Sequence, residues 1–520
     1  MTFFKEYKKN EHNKSYYKAN FNLTNLPTYI ANSIRRSFSS INPIVTFNDN
    51  YEEEESNRSI NIKKNTSALH DQFLSHRLSL IPINMELADN INIKTLFNKE
   101  TGIREFNFAD ENRLIFTINI INNQYSSESR DKDGLISITS KDFIITSENG
   151  SEIDSSLIFL KDIFTNDHIL IDKLKFNIND PEAGEELNIE CFPTIGTGKI
   201  NARYDPTGTV TFQHKIDESR LESTFNNKVR YLNKERQNKG LDELNTQEIE
   251  GLQKSFNLLD KERVYTIDSN GNPNNYELSV ESIGFMSPDS IIYNSLCSLI
   301  LLIKDISNSI NISINNSCLD FTTNSKITIS ELDHTNVNNG VNINIKNENH
   351  TIGNMLSMLM RDLYTSGGSK LELDVLKYVG YKMQHPAIEE IDIIIIPNEN
   401  DIGQIIKYIT KLISGSIHDI NMSSQIKELK KKDKIYLNTL LSMLLFIKTI
   451  NICNSILVQI KNEFIEASGF TTTYENAGYL IEDSEEYFTK NTDIIGELID
   501  VQQSYDFSEI SVPFNVISEQ

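Results

Sequence analysis

Apolar residues recur at helical spacing over residues 27–39, where Ile30, Ile34 and Phe38 share one face and Arg35 and Arg36 point away from it. Thr24 or Asn25 is placed to cap this helix, and Pro27 suits its first turn because it has no backbone N–H to leave unpaired. A second helix is predicted over residues 67–83, with Leu69, Phe73, Leu74, Arg77, Leu78 and Leu80 at helical spacing before Pro82 ends it. The period then changes. Residues 113–121, 134–139 and 169–175 have strand character, and the β-branched and aromatic runs around Pro206 and Gly208 predict a hairpin within 202–214. This stretch reads as a mostly β module. Residues 217–262 are instead charged with a weak apolar stripe, which predicts an exposed helical insertion.

Alternation returns at 276–284, and Ser287-Pro288-Asp289 follows as a helix start with a cap, a first-turn proline and an acid at the positive end. The apolar residues of that helix, Ile291, Ile292, Leu296, Leu299, Ile300 and Ile303, cover more than one face, so it is expected to lie buried between other elements to about Lys304. The polar, Asn- and Ser-rich residues 305–340 are the predicted linker. Beyond them a second module is expected: a strand at 341–345, a helix at 351–363, a strand at 391–396 and a helical pattern over 401–417. The last hundred residues hold a basic helix start at 427–434, an apolar helical region to about Glu466 and an acidic tail, to which no chemistry is assigned.

Composition narrows the functional classes. At 520 residues the chain exceeds one hydrophobic core and predicts two or three domains, and 38% apolar with 24% charged residues suits folded modules. A net charge of −23 argues against a chain that grips a phosphate backbone itself, since that depends on Lys and Arg displacing counterions. Any DNA is expected to be held indirectly, through partners. Cys191, Cys297, Cys318 and Cys453 lie far apart without CxxC spacing, which excludes a sequence-local zinc knuckle and a disulfide framework and points to a reducing compartment. The start of the chain lacks the apolar core of a signal peptide, and the apolar run 440–447 is too short to span a bilayer, so a soluble intracellular protein without membrane partners is expected. The acidic run 52–55 reads as a solvated loop.

One self-similarity stands out. Tyr29-Ile30-Ala31-Asn32-Ser33-Ile34 matches Thr351-Ile352-Gly353-Asn354-Met355-Leu356, and both open a helix. At matching positions an apolar residue precedes a small one, which lets a backbone or ring approach, and then an Asn, which can bond neighbouring backbone groups. Residues 26–36, followed by Ser67-Ala68-Leu69-His70-Asp71-Gln72-Phe73-Leu74-Ser75-His76-Arg77-Leu78-Ser79-Leu80-Ile81-Pro82, closely resemble the larger alpha-like subunit of archaeal and eukaryotic RNA polymerases. Further matches keep the order of that family: Thr139-Ser140-Lys141-Asp142, Ile171-Asp172-Lys173-Leu174, Gly196-Thr197-Gly198-Lys199 with Ala202-Arg203-Tyr204, and Glu281-Ser282-Ile283-Gly284 with Pro288. His350-Thr351-Ile352-Gly353-Asn354 and Gly380-Tyr381-Lys382-Met383-Gln384-His385-Pro386 look like the small alpha-like partner. The fusion of both is similar to the arrangement in large cytoplasmic DNA viruses.

The resemblance implies an α+β fold: an RNA polymerase alpha-like dimerisation fold in two halves paired within one chain. Residues 15–50 plus 200–310 would form the larger half, 51–199 an inserted mostly β domain, 305–340 the linker, 341–420 the smaller half and 421–520 a helical extension with its tail. Tethering would give the halves a roughly millimolar effective concentration for one another. It further implies a non-catalytic DNA-directed RNA polymerase subunit for transcription, without a cofactor. Its partners would be the two largest subunits and smaller polymerase subunits, in the host cytoplasm and the virion of a giant virus. Ile30, Ala31, Asn32, Ile34, Ile352, Gly353, Asn354 and Leu356 would build the dimerisation helices.

Arg35 and Arg36 match an arginine pair that helps contact the second-largest subunit in the bacterial alpha relative, or they are solvated charge. His76 and Arg77 would join that docking surface or bond a neighbouring loop, and His350 would make a helix-entry hydrogen bond. Gly196-Thr197-Gly198-Lys199 is not a phosphate loop, because Pro193 replaces the first glycine and Ile200 the Ser or Thr. His70 and His76 sit about 120° apart on a helix and are poor joint metal ligands. Two other classes stay open: a virion or scaffold protein that reuses the dimer fold, and a metal-dependent nucleic-acid enzyme, against which no HExxH, paired-cysteine or nucleophile-elbow arrangement is found.

Overall fold

A computed structural model describes residues 2–9, 18–49, 58–84, 93–98, 103–108, 114–123, 125, 131, 133–147, 150–162, 165–177, 184–268, 271–315, 318–332, 340–365, 375–398, 402–414 and 429–470. The acidic run 52–55 and the acidic tail lie outside them.

Strands β1 (Phe4–Lys9), β2 (Lys18–Thr24), β14 (Thr207–His214) and β15 (Asn275–Ser282) form an antiparallel sheet in the order β1-β2-β15-β14. Helix α1 (Thr28–Ser40) follows β2, and its buried face holds Tyr29, Ile30, Ala31, Ile34 and Phe38, as its spacing requires. The expected cap differs. Pro27 itself occupies the N-cap without a side-chain bond, because Thr24 Oγ1 donates to the Thr2 carbonyl and the Asn25 N–H is taken by Asn275 Oδ1. The Thr24 hydroxyl is spent on joining the sheet, and the N-cap falls two residues beyond Asn25, whose backbone N–H bonds Asn275.

Between α1 and β14 lies the β module. β3 (Pro43–Thr46) pairs with β13 (Thr194–Thr197). β4 (Ile60–Asn65), β7 (Leu114–Ile121), β9 (Ile144–Ser147), β10 (Glu152–Ile153) and β12 (Glu186–Cys191) make a five-stranded sheet in the order β10-β9-β7-β12-β4. β5 (Ile93–Asn98) pairs with β6 (Ile103–Phe108), and β8 (Leu135–Thr139) with β11 (Leu170–Lys175). Phe47, Phe116, Phe143 and Phe159 fill the module through edge and stacked ring contacts. Helix α2 covers only Asp71–Ser79, capped by His70, and the short α3 spans Ser155–Ile158. Of the apolar stripe expected over 67–83, Leu74 and Leu78 are buried but Phe73 is 70% exposed and Leu80 52%.

The hairpin expected within 202–214 does not form. Ala202–Tyr204 is a single 3-10 turn and β14 is one strand, whose partner is the distant β15. Its β-branched alternation marked a strand; Pro206 and Gly208 precede and open it rather than turn it. The residues between β14 and β15 are helical, α4 (Glu218–Asn238) and α5 (Thr246–Leu259), with no buried residue in α4. Helix α6 (Pro288–Asn308), capped by Ser287, is buried on nearly every face.

Residues 305–340 are not a linker. They contain the end of α6, a hairpin of β16 (Ile310–Asn315) and β17 (Cys318–Thr323), and β18 (Ile327–Glu331). Abundant Asn and Ser hid a period-two placement of isoleucine, at 310, 312 and 314 and again at 327 and 329. β18, β19 (Val341–Lys346), β20 (Leu376–Met383) and β21 (Glu390–Pro397) form a second antiparallel sheet in the order β18-β19-β21-β20. Helix α7 (His350–Tyr364) follows β19. The two four-stranded sheets therefore share one plan: two paired strands, a helix, then two more strands of which the last returns beside the second.

After α8 (Ile402–Ser414) comes α9 (Lys434–Ser468), 35 residues long. Asp433 caps it, so the basic residues 430–432 precede the helix instead of starting it. α9 packs on α6, α7, α8, β1, β19 and β21, which makes the expected extension a central part of the core. By length and composition α6 and α9 could cross a membrane, but most of each is buried inside the protein, as in core helices. The first and last described segments meet, since Glu463 of α9 accepts the N–H groups of Phe3 and Phe4 at 2.5 and 2.8 Å and Phe464 packs edge-on against Phe4.

Candidate pairing seam and docking surface

The two motif helices pack against one another. Both bury their motif residues, Ile30, Ala31 and Ile34 on α1 and Ile352, Gly353 and Leu356 on α7. Polar bonds cross the contact: Arg36 Nε donates to Thr351 Oγ1 at 2.9 Å, and Ser33 Oγ, which donates to the Tyr29 carbonyl, lies 3.3 Å from the Thr351 carbonyl. Tyr29 of α1 reaches Asp362 of α7; burial first, and the Asp362 charge second, hold its phenol well above the ordinary value.

Each helix entry is anchored by a tyrosine of its own sheet. The Tyr276 hydroxyl is 2.8 Å from Thr28 Oγ1, and the Tyr381 hydroxyl is 3.3 Å from His350 Nδ1, a helix-entry bond of the kind expected for that histidine. Gly353 is small for a reason: a Cβ there would lie 2.6 Å from the Tyr381 ring. The motif asparagines do less than expected. Both are half-buried, and Asn32 Oδ1 accepts from the Arg35 side chain at 2.9 Å rather than from a backbone group.

The four charged docking candidates fall into two places. Arg35 and Arg36 are on α1; burial, then the Arg36 charge, lowers the pKa of Arg35. Arg36 is exposed yet engaged by α7. His76 and Arg77 are on the outer side of α2, where Arg77 Nη2 donates to the Leu170 carbonyl of β11 at 2.8 Å. Exposed Phe73 and Leu80 belong to the same short segment.

Sequence reasoning missed two elements of the seam. The first is the 196–199 loop, whose glycines serve close approach, not phosphate: a Cβ at Gly198 would lie 1.9 Å from the Ser39 carbonyl oxygen and one at Gly196 2.5 Å from the Tyr204 ring. The loop is fastened to the end of α1 by Lys199 N–H to the Ser40 carbonyl, 2.9 Å, and sends Lys199 Nζ to Glu389 at 2.7 Å and to the Asn347 carbonyl at 3.3 Å. The second is an ion pair between Lys326 and Glu348, 3.0 Å long, with the side chains only 4% and 5% exposed. Desolvation raises the Glu348 carboxyl while Lys326 opposes the shift. No local pattern marks either, because the partners are brought together only by the sheets. Among the described residues no group of three or more His, Cys, Asp or Glu side chains could hold a metal ion, and Cys191, Cys297 and Cys453 are separate buried thiols.

No protein-family model matches the chain. Over 201 residues it is 26% identical to DNA-directed RNA polymerases II, IV and V subunit 3 of Arabidopsis thaliana, covering 38% of this chain and 54% of that protein. Over 200 residues it is 26% identical to DNA-directed RNA polymerases IV and V subunit 3B of the same plant, covering 38% and 54%. Over this part of its length the chain is similar to RNA polymerase subunit 3. A Conjugation stage-specific protein of Tetrahymena thermophila is 24% identical over 197 residues, covering 38% and 56%. The chain thus spans about half the length of the curated relatives it matches.

Proposed function

We propose that this chain is a non-catalytic assembly platform of a multisubunit DNA-directed RNA polymerase, with two alpha-like halves paired in cis. The observation that carries the reading is the shared strand order of the two sheets, each with a motif helix packed against the other's. Similarity to subunit 3 of plant RNA polymerases supports it independently. In this reading the larger half comprises the β1-β2-β15-β14 sheet with α1 and α6, and the smaller half the β18-β19-β21-β20 sheet with α7. The β module and the α4–α5 pair are insertions into the larger half. The pair docks the two largest subunits, which own the catalytic chemistry, and this chain contributes no catalytic residue. Docking is assigned to two separate places, Arg35 on α1 and His76 and Arg77 on α2 with exposed Phe73 and Leu80, while Arg36 serves the seam. The proposal extends to a large DNA virus as source, with the polymerase working in host cytoplasm and carried in the virion.

Co-expression with the two largest polymerase subunits of the same source tests it. A stable ternary complex that survives moderate salt is expected. A well-folded chain that forms no such complex, or one recovered only with capsid shells, overturns the reading in favour of a structural protein that reuses the fold.

A further inference from the structure

The two four-stranded sheets end in four edge strands, β1 and β14 in the first and β18 and β20 in the second. An edge strand presents backbone N–H and C=O groups with which another chain can pair, and folded proteins blunt that tendency with charges, bulges, short strands or a covering element. Three of the four edges are blunted in these ways. β1 carries exposed Lys5 and Lys8 on either side of a register shift and lies against α9. β18 is five residues long and ends in exposed Glu331, and β20 carries exposed Lys377 and Lys382.

β14 is different. Its residues, Thr207-Gly208-Thr209-Val210-Thr211-Phe212-Gln213-His214, include no Lys, Arg, Asp, Glu or Pro. After one register shift between Thr207 and Thr209 its pairing with β15 is unbroken to His214, a regular edge about 20 Å long at the usual rise of an antiparallel strand. Among the described residues no strand pairs with its other side. Its side chains alternate: Val210 and Phe212 pack on the core, with the Phe212 ring stacked 5.0 Å from that of Tyr276, whereas Thr209, Thr211 and Gln213 are exposed. Val210 and Phe212 are only half-buried because, among the described residues, β15 flanks them on one side alone.

We propose that β14 receives an extended segment of a partner protein as a fifth strand, joined main chain to main chain. The segment places apolar residues beside Val210 and Phe212 and uncharged polar ones beside Thr209, Thr211 and Gln213, matching the alternation of the edge. A second copy of this chain fits less well, since six residues joined edge to edge bury far less than the roughly 1,200 Å² of a stable interface. A segment can be held as well by the rest of its own protein. The site rests on strand geometry alone, so losing it would leave the polymerase reading untouched.

Fluorescence anisotropy of the full chain with a labelled peptide of alternating valine and threonine, closed by a lysine at each end, tests this. Saturable one-to-one binding is expected, together with slowed hydrogen exchange of amides within residues 207–214. The same peptide N-methylated at every residue keeps its side chains but has no N–H to donate, and it should not bind. Val210→Lys, which gives β14 the kind of guard the other edges carry, should weaken the unmodified peptide at least about tenfold. Absence of saturable binding up to about 1 mM, equal affinity for the N-methylated peptide, or protection that falls outside 207–214 would each overturn the proposal; these arms decide it even if Val210→Lys fails to fold. Sedimentation of the chain alone should show no dimer, and a dimer that protects the same amides would overturn the partner segment in favour of a second copy.

Discussion

The two four-stranded sheets carry the same strand order on very different amounts of chain. In the first, more than 160 residues separate α1 from β14 and the α4–α5 pair separates β14 from β15; in the second, a short connection leads from α7 to β20 and residues 384–389 turn directly into β21. A plan that tolerates such insertions must be held by its strand pairs and helix face, not by its loops, because loops run over the surface and their length adds only slowly to the closure entropy. What stays alike is the contact of the motif helices with their sheets. What differs is its detail: alanine at position 31 against glycine at 353, and threonine 28 against histidine 350 as the tyrosine's partner.

The largest effects should come from charge placed in the shared seam. Ile30→Asp and Ile352→Asp each bury an unpaired carboxylate, and each should lower unfolding free energy by about 4 kcal/mol or more and prevent ternary assembly. Denaturant titration with pull-down of the two large subunits checks both; a full complex in either variant would mean that the seam is misplaced, and unequal losses would break the equivalence of the halves.

Lys326→Met should cost about 3 kcal/mol by leaving buried Glu348 without its ion-pair partner, whereas Lys326→Met with Glu348→Gln should recover most of it. The Glu348 carboxyl titrates higher in the folded than in the unfolded chain. The folded state therefore holds its proton more firmly, and the stability linked to this group is present below the unfolded value and lost as pH rises through the folded one. In Lys326→Met that loss should deepen, so its urea midpoint should fall more steeply than the wild type's as pH rises from the acid range; a parallel pH dependence would argue against the pair.

Gly353→Ala brings a methyl against the Tyr381 ring and should cost about 2 kcal/mol, mostly restored when Tyr381 is replaced by Leu. Ala31→Gly, its counterpart in the first half, should cost only about 1 kcal/mol through helix propensity. Equal losses by thermal unfolding would show that the two helices meet their sheets alike. The smallest effect is expected at Lys199→Ala, under about 1 kcal/mol because its pair with Glu389 is partly solvated. Lys432→Ala, a surface change before α9, should leave assembly unchanged.

Much of the fold was legible where period and punctuation agreed. The face of α1, the Ser287-Pro288 start of α6, strands β7, β8 and β11 of the β module and the exposed α4–α5 pair all follow from local spacing. Errors arose where a local sign had a distant use. Thr24 and Asn25 have the chemistry of caps but bond across the sheet, and Pro206 with Gly208 resembles a turn while β14 runs on to pair with β15. Asn-rich composition concealed strands at 310–331, since polar residues on one side of a strand do not weaken the isoleucines on the other.

The candidate seam divides in the same way. The repeat around Asn32 and Asn354 was visible in the chain because helix starts are encoded within a few residues. Tertiary structure alone decided that α9 is core, that Gly196-Thr197-Gly198-Lys199 clasps the end of α1 and reaches Glu389, and that Lys326 is buried against Glu348. Those contacts join residues from 22 to 460 positions apart, and their energy depends on burial, which no short stretch of sequence carries. By itself the sequence determined which faces are apolar and where helices begin; the packing of two sheets around α1, α6, α7 and α9 determined which charges are buried together.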